Sequence, residues 1–458
     1  MTHSNKQQYF VYDRLPENSI APPNFNLNEP RFRGRYSVSS QSIRDYCKRE
    51  GTYLDASLRD AKKIKFIYEI GTSGPGVSWL GGLGTGRVLL FDVLQLNRPI
   101  IMKALQERRA ILHIDQGWEG FPLIENAAPP GDGLPEDYAD MLYSGIVTNP
   151  RNHYDVIYGS CEAYNIMPSQ IIITTSNLKE KQIHDKHYSD RDSKLKIVSS
   201  IPLCGLLKKL NDKDAISFNT QIEYKSTAKE LKSFSCLNRV TRQHRLALGL
   251  MLNYNKLLDP KICDFSHSSR LGGHPGLSTQ PISSRHAVPY NWDSHPAFNQ
   301  NNVEDFIGKL PYVLDQKDFN QNHVWTMFKQ TYLNSWFSLI TESAYNEEHQ
   351  TSCFVSEKVF KPMLCHQPFV VAGHPDTLTY LKKLGFKTFD KWWDESYDYI
   401  TNPTDRMQAI VDLCIHLVNK TNTEWLAIYK DMQEVLEHNY NHLEYMKYTD
   451  YSEVLKNV

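Results

Sequence analysis

The chain has 458 residues, a length that predicts two or three domains. Hydrophobic residues make up 40% and charged residues 22%, which is typical of a soluble globular protein. The net charge of −1 argues against a strongly basic nucleic-acid scaffold, although a local basic groove is compatible with it.

The cysteines and the first residues of the chain are typical of a cytoplasmic protein. Eight cysteines are scattered along the chain, and none forms the Cys-x-x-Cys pair of a zinc knuckle. Several lie in apolar runs, as buried free thiols do, which is typical of a reducing cytoplasm. The first residues carry no apolar signal region, and no apolar run reaches the roughly 18 residues of a membrane helix. We therefore expect a cytoplasmic protein without a membrane span.

Residues 1–60 are polar and rich in Pro and Asn, and we expect them to form an N-terminal extension. Strand and helix patterns alternate after it, with strands expected at 64–70, 110–115, 171–175 and 195–198 and helices at 98–109 and 147–164. Such alternation predicts a parallel sheet. Residues 61–227 should thus form a Rossmann-like N-terminal lobe, with a charged loop insertion at 178–194 and a linker at 211–227.

A glycine-rich segment, 71–86, follows the first predicted strand. Glycine-rich loops after a strand can cradle phosphate, but this one has neither the dinucleotide nor the Walker spacing. A nucleotide-dependent epimerase or dehydrogenase would need Gly-x-Gly-x-x-Gly at this place, so those classes are disfavoured. We expect a flexible loop at an acceptor cleft, with phosphate binding as the alternative.

The second half of the chain opens with a short strand pattern at 234–237 and a buried helix pattern at 246–252. Between them lies a loop with three arginines, Arg239, Arg242 and Arg245. The loop after a parallel strand is where α/β folds bind anions. The alternative is that these arginines are solvated loop charges.

The most informative segment is Ser356-Glu357-Lys358 at the head of a helix-like run. A helix N-terminus offers free N–H groups and partial positive charge to a phosphate, and Lys358 and Lys361 would add charge for a diphosphate. Glu357 could accept hydrogen bonds from two hydroxyls of a ribose or a sugar. The segment therefore predicts a nucleotide-sugar pocket, and the alternative is a capped amphipathic helix with solvated lysines.

The surrounding order of elements resembles the α-1,3-fucosyltransferase family and its bacterial and phage relatives among diphosphate-sugar glycosyltransferases. That family carries a strand, Phe-Glu-Asn-Ser, a short loop, Thr-Glu-Lys, a helix and a strand ending in Gly. Here Thr341-Glu342-Ser343 and Ser356-Glu357-Lys358 take the two motif positions. Ser343 replaces the Asn, and the loop 346–353 is longer and more polar than usual. The resemblance covers about residues 232–397.

The resemblance implies a two-lobed α/β fold of the GT-B type. It implies an inverting, metal-independent transfer from a nucleotide-diphosphate sugar, with no further cofactor. The C-terminal nucleotide-sugar lobe would span 228–400, followed by C-terminal helices at 401–458. Asn238 and one of the three arginines would serve the donor, with the arginine on its diphosphate, and Glu342 would accept from a donor hydroxyl. The missing membrane anchor of Golgi relatives points to a bacterial or viral enzyme.

Glycosyl transfer also needs a base that takes the proton of the acceptor hydroxyl. The best candidate is Glu119, with Asp115 in reserve, because both follow the predicted strand 110–115 and so lie at the carboxyl edge of the sheet. Trp118 could stack on a sugar or a base. The alternatives are a turn Asp and a solvated Glu, with Glu69 and His113 as weaker candidates for the base.

The acceptor is left open between a glycan, a protein and hydroxymethylated phage DNA, and the oligomeric state is not indicated. A DNA acceptor would require a basic groove in the N-terminal lobe. The scattered candidates for it are Arg87, Arg98, Lys103, Arg108, Arg109, Lys179 and Lys181. A different class of function is a non-catalytic sugar-nucleotide or glycan-binding module, which would keep Glu357 and Lys358 but need no base.

Overall fold

The computed structural model describes residues 8–11, 43–57, 59–71, 91, 94–95, 98–116, 153–201, 215–238, 241–269, 294–314, 327–343, 345, 352–446 and 449–456. These residues form two compact units. The first unit contains the described residues up to 201 together with 449–456, and the second contains the described residues 215–446.

The first unit has a six-stranded parallel sheet with the order β2-β1-β3-β4-β5-β6. Its strands are β1 Gln8–Val11, β2 Tyr53–Ala56, β3 Phe66–Gly71, β4 Ala110–Gln116, β5 Ile171–Thr175 and β6 Lys196–Ser199. Its helices are α1 Ile43–Arg49, α2 Pro99–Gln106, α3 His153–Ala163, α4 Glu180–His187 and a C-terminal helix, Ser452–Leu455. β1 and β2 come from residues 1–60, so part of the expected extension supplies two strands of this sheet.

Both faces of the first sheet are covered, as is usual for parallel sheets. Tyr68, Leu112 and Ile173 lie in one apolar cluster. Ile67 and Ile172 lie in a second cluster with Tyr451, which directly precedes the C-terminal helix. Successive strand residues therefore alternate between two buried layers.

The second unit has a four-stranded parallel sheet with the order β10-β9-β7-β8. Its strands are β7 Lys232–Asn238, β8 Cys263–His267, β9 Ser335–Thr341 and β10 Phe369–Ala372. Its helices are α5 Phe218–Thr227, α6 Gln243–Tyr254, α7 Gln300–Gly308, α8 Lys329–Asn334, α9 Glu357–Leu364, α10 Thr377–Lys383, α11 Pro403–Val418, α12 Asn422–Asp431 and α13 Gln433–Tyr445. Helices α11 to α13 thus belong to this unit.

The strand order creates a switch point in each sheet. In the second sheet, β8 lies on one side of β7, and the next strand along the chain, β9, lies on the other side of β7. In open α/β sheets, such a reversal opens a crevice at the carboxyl ends of the two strands, where ligands bind. The switch point of the second sheet therefore lies between the ends of β7 and β9. In the first sheet it lies between the ends of β1 and β3.

The prediction of an α/β fold with two parallel-sheet, Rossmann-like units is confirmed. The predicted strands and the buried helix at 246–252 are found within a few residues of their expected ends. The GT-B arrangement of two lobes stays a prediction. Among the described residues, no helix is both long enough and apolar enough to cross a membrane.

Two segments expected to lack regular structure contain helices. Residues 178–194 were predicted as a loop insertion, but they include α4, in which Glu180 and His184 are buried. Residues 211–227 were predicted as a linker, but they include α5, in which Lys225 is buried. Polar partners explain the error: His184 Nε2 lies 3.1 Å from the Tyr158 hydroxyl, and Lys225 donates to main-chain carbonyls.

Candidate functional site

The end of β9 is held by a buried carboxylate. Glu342 directly follows the strand and is completely buried. Its Oε1 accepts from the Ser356 N–H at 2.9 Å, and its Oε2 accepts from the Ser343 N–H at 3.2 Å. Burial raises the pKa of Glu342, while Lys358 and the bonds from Ser356 act in the opposite direction. Glu342 therefore ties the end of β9 to the start of α9.

Helix α9 begins at the predicted place. Ser356 is its N-cap, and the Ser356 Oγ accepts from the Lys358 N–H at 3.3 Å, as serine does at helix starts. The Lys358 Nζ donates to the Ser356 Oγ at 3.1 Å and the Ser343 Oγ at 3.3 Å. The ammonium is thus fixed at the helix N-terminus, and its side chain keeps 28% exposure. It is a preorganised cation that a ligand can reach.

Glu357 is the more accessible carboxylate of the pair. Its side chain is 10% exposed, and it forms an ion pair with Lys358 at 3.2 Å. Burial alone would raise the pKa of Glu357, but Lys358 and Lys361 outweigh it, and the net pKa lies below the usual value. Lys361 is itself buried, one turn further along α9. Glu357 is therefore ionised at neutral pH and can accept hydrogen bonds.

The loop between β7 and α6 adds cations from the other side of the switch point. Arg242 is the N-cap of α6, and Arg245 is buried in its first turn. The Arg245 Nη2 donates to the carbonyls of Thr341 and Glu342 at 3.2 and 3.0 Å. Burial and Arg242 lower the pKa of Arg245 to about 10, while Glu342 and Glu357 raise it. Arg245 is therefore charged at neutral pH and close to both carboxylates.

A row of polar side chains closes the ends of three strands. Asn238 ends β7 and accepts a short hydrogen bond from the Thr341 hydroxyl of β9. His267 ends β8 in register with Asn238, and its Nδ1 bonds the Ser268 carbonyl at 2.8 Å. Burial lowers the pKa of His267 to about 4, so the ring is neutral at pH 7. Asn238 therefore orders the crevice by joining β7 to β9.

The predicted donor residues converge in part. Asn238, Arg245, Glu342, Ser356, Glu357 and Lys358 lie at the ends of β7 and β9 and the start of α9. Arg242 and Lys361 act electrostatically on members of this group. Arg239 lies outside the described residues. Of the three arginines, Arg245 binds main-chain carbonyls of the site. Arg242 is the other one that the structure describes, and its side chain is only partly buried.

The predicted catalytic residues lie at the edge of the described part of the structure or outside it. Glu119 and Trp118 lie outside the described residues. Asp115 lies near the end of β4, in register with Gly71 and Thr174 at the carboxyl edge of the first sheet. Its backbone therefore has the expected position, while its side chain is outside the described part of the structure. The glycine-rich loop lies almost wholly outside it as well.

Glu69 and His113, the weaker candidates for the base, belong to a buried polar network. The His113 Nδ1 lies 3.0 Å from the Glu69 Oε2, and its Nε2 lies 2.8 Å from the Thr174 Oγ1. The same hydroxyl lies 2.8 Å from that of Tyr451. Burial would raise the pKa of Glu69, but His113 outweighs it and the pKa is lowered. Both ring nitrogens of His113 have a bonding partner, which indicates a structural role for His113.

Several cations proposed for a DNA groove are neutralised by neighbours. Lys181 and Arg109 pair with Asp185 and Glu107, respectively. Lys103 also approaches Glu107, at 3.8 Å. Lys179 is buried. These contacts reduce the positive potential that the first unit could offer to a phosphate backbone.

Sequence reasoning missed three residues behind the site, His244, Tyr345 and Arg406. The His244 Nε2 lies 3.0 Å from the Glu342 carbonyl oxygen, and its ring stacks on Tyr345. Arg406, which follows Tyr345 by 61 positions in the sequence, bonds the Tyr345 carbonyl and lies over the Tyr345 ring. His244 stands among the arginines of the predicted anion loop, so its position was a usable signal. No local pattern connects Arg406 with this site.

Gly373 is a further structural requirement. A Cβ at this position would lie 3.1 Å from the Thr377 Oγ1 and 3.5 Å from the Glu342 Cγ. The glycine therefore lets the turn after β10 pass close to the Glu342 side chain. The strand ending in Gly was part of the family pattern, so this position could be predicted.

Comparisons with known proteins give no family assignment. No protein-family model matches the sequence, and no curated protein matches it. Among solved structures, it is similar to a glycosyltransferase from Rickettsia africae ESF-5, with 13% identity, a TM-score of 0.34 and coverage of 91% of this chain and 94% of that one. It is also similar to the trehalose-6-phosphate phosphatase N-terminal domain of Candida albicans, with 10% identity, a TM-score of 0.35 and coverage of 90% and 85%. Likenesses this weak carry no argument about activity.

Proposed function

We propose that the protein is a glycosyltransferase that moves a sugar from a nucleotide-diphosphate donor to a hydroxyl acceptor. The observation that carries the proposal is Lys358, a partly exposed ammonium held by Ser343 and Ser356 at the N-terminus of α9. This helix start lies at the switch point of a parallel sheet, where α/β proteins bind phosphorylated ligands. Glu357 stands beside it as an ionised acceptor for hydroxyl groups.

The charges of the site suit the departure of a nucleoside diphosphate. Breaking the bond to the anomeric carbon leaves negative charge on the diphosphate, which preorganised cations and N–H groups stabilise. Lys358 and Arg242 would contact the phosphates, while Arg245 would act from the buried side. Protein cations can supply this charge without a metal ion, as the resemblance to fucosyltransferases implies. We propose direct displacement with inversion.

The second chemical requirement is a base near the acceptor hydroxyl. We propose Glu119 for this role, with Asp115 in reserve, because a carboxylate at the carboxyl edge of the first sheet can face an acceptor. The acceptor itself is proposed to be a glycan or a protein. Hydroxymethylated DNA is disfavoured by the ion pairs of Lys181 and Arg109.

Nucleotide binding is the first test. Calorimetric titration with GDP, UDP, CDP, TDP and ADP should identify at least one ligand, because a diphosphate meets Lys358 directly. Lys358→Ala should weaken that binding by about 1.5–3 kcal/mol, the value of a charge-assisted hydrogen bond. The control is Lys430→Ala, which removes an exposed lysine of α12 and should leave the affinity unchanged. Equal affinities of both variants and the wild type would contradict the site.

Activity separates an enzyme from a binding module. Incubation with the matching nucleotide sugar should release nucleoside diphosphate, slowly to water and faster with a hydroxyl acceptor. A non-catalytic sugar-nucleotide or glycan-binding module would bind the same ligands and release none. Tight binding without any turnover over a broad acceptor set would therefore favour the binding module.

A further inference from the structure

A stack of three side chains leads from α11 to the main chain of the candidate site. The Arg406 guanidinium carbon lies 4.2 Å from the ring centre of Tyr345. The ring of Tyr345 stacks on that of His244, with centres 5.5 Å apart and an angle of 15° between the planes. His244 then bonds the carbonyl of Glu342 at 3.0 Å. This stack lies behind the donor site rather than in it.

Arg406 is held in a fixed orientation. Its Nη1 donates to the Ile400 carbonyl at 2.7 Å and the Thr401 carbonyl at 3.2 Å, and its Nη2 donates to the Tyr345 carbonyl at 2.7 Å. The residue is buried, and among the described residues no carboxylate forms an ion pair with it. Three main-chain carbonyls accept from the guanidinium in place of a carboxylate. Its planar fork thus fixes Tyr345 by geometry.

Tyr345 is fixed at both ends. Its carbonyl accepts from Arg406, and its hydroxyl donates to the Pro403 carbonyl at 2.9 Å. The side chain is completely buried. The ring therefore presents a rigid face to His244.

The Glu342 carbonyl is the main-chain group that the stack contacts, through His244. A carbonyl only accepts, so the His244 Nε2 must carry the proton of this bond. The Arg245 Nη2 donates to the same oxygen at 3.0 Å. Next in the chain, Ser343 provides a hydroxyl that accepts from the Lys358 ammonium at 3.3 Å. The main chain at 342–343 thus connects the stack with the cation that carries the proposed function.

We propose that Arg406 is a positioning residue for the donor site, which acts through Tyr345 and His244 on the Glu342–Ser343 segment and so on Lys358. This inference rests on the proposed function, because it assumes that Lys358 binds a diphosphate. It assigns a functional role to a helix outside the segment that resembles fucosyltransferases. Arg406 itself touches no substrate.

The test uses the full chain and the nucleoside diphosphate that binds the wild type most tightly. Arg406→Lys keeps the positive charge but loses the planar stack and the fork, and should raise the Kd about tenfold or more, as displacement of a binding group does. His244→Phe keeps a stacked ring and loses the bond to the Glu342 carbonyl, and should also raise the Kd. His244→Gln restores an N–H donor and should recover part of the affinity.

Tyr429→Phe is the matched control, because it removes a buried hydroxyl of the second unit that donates to the His366 carbonyl and lies outside the stack. It should lower the Tm about as much as His244→Phe, but change the Kd less. Titrations are made at 10 °C, and circular dichroism confirms that each variant is folded. Recovery by His244→Gln is the readout that a merely structural role would not produce.

Lys358→Ala, measured in parallel, separates the two possible failures. If Lys358→Ala weakens binding while folded Arg406→Lys and His244→Phe bind like the wild type, the positioning role is overturned and the proposed function stands. If Arg406→Lys does not fold, His244→Phe and His244→Gln decide the question. If Lys358→Ala binds like the wild type, the proposed function fails and the positioning role fails with it.

Discussion

In the first unit, His113 links Glu69 to Thr174, whose hydroxyl lies beside that of Tyr451. In the second unit, Lys358 and Glu357 lie at a helix start and retain some exposure. Both groups lie near the carboxyl ends of parallel strands, so position in the fold does not distinguish them. What distinguishes them is the exposure of the cation: the Lys358 side chain keeps 28% exposure, whereas the His113 side chain is completely buried.

The two units also use their carboxylates differently. Glu69 is bonded to a histidine side chain, whereas Glu342 is bonded by the N–H groups of Ser343 and Ser356. The first arrangement joins neighbouring strands of one sheet. The second orders a loop start and a helix start around a cation. A buried histidine with both ring nitrogens bonded thus indicates a role in stability. A partly exposed cation at a helix start indicates a binding site for a ligand.

The largest effect is expected for the proposed base. Glu119→Ala should lower kcat by about 10²–10⁴, because a general base typically contributes that factor. The affinity for nucleoside diphosphate should stay nearly the same, since the base acts on the acceptor. Asp115→Ala should do less. The measurement is steady-state kinetics together with calorimetric titration of both variants.

The outcome of that experiment bears on the comparison directly. If Asp115→Ala loses turnover and Glu119→Ala does not, the two roles are exchanged. If both variants turn over normally, the first unit does not supply the base from this loop. The first unit would then hold the structural network around His113 but no catalytic group at residues 115–119.

His113→Phe should have the next largest effect, on stability alone. It leaves the Glu69 carboxylate and the Thr174 hydroxyl without their partner, which should lower the free energy of unfolding by about 2–4 kcal/mol. Tyr451→Phe removes only the hydroxyl at the end of the network and should cost about 1 kcal/mol. Urea unfolding measures both. A variant that is stable but loses turnover would instead make His113 a catalytic group.

Much of the candidate site was readable from local sequence. Ser356, Glu357 and Lys358 were predicted at a helix start because capping residues and charges follow short-range rules, and the structure places them there. The strand ends at Asn238 and Glu342 followed from apolar runs. These features depend on interactions within one turn of helix or one strand.

The rest depended on contacts distant in sequence. Lys225 looked like a residue of a polar linker, yet its ammonium bonds the Leu333 carbonyl at 3.1 Å and lies 5.3 Å from the ring centre of Trp336. Arg406 lies in a segment that was predicted only as C-terminal helices, yet it stacks on Tyr345. Single-sequence periodicity treats buried polar residues as exposed, because their partners are invisible to it.

Glu357→Gln and Glu342→Gln should separate ligand binding from structure within the second unit. Glu357→Gln keeps the shape and removes the charge, so it should raise the KM for the donor about tenfold with little change in Tm. Glu342→Gln leaves one oxygen for two N–H donors and should lower the free energy of unfolding by about 1–3 kcal/mol. Donor kinetics and thermal unfolding of both variants provide the measurement. Loss of stability with normal donor kinetics in Glu357→Gln would make Glu357 structural as well.

The smallest effect at neutral pH is expected for His267, the buried histidine of the second unit. Unlike His113, it has one bonded nitrogen: among the described residues, no group bonds its Nε2. Burial lowers its pKa to about 4 in the folded protein from 6.5. Between these values the unfolded chain binds the proton and the folded chain does not, so stability falls as the pH drops from 6.5 to 4.

His267→Phe should remove this pH dependence, because phenylalanine fits beside Phe265 and Phe306 and does not titrate. At pH 7 its free energy of unfolding should lie near that of the wild type, since the wild-type ring is neutral there. At pH 4.5 the variant should be the more stable protein. Urea unfolding at pH 7, 5.5 and 4.5 measures the difference. Parallel pH curves for the two proteins would contradict a neutral, half-bonded His267, and would remove this contrast between the histidines of the two units.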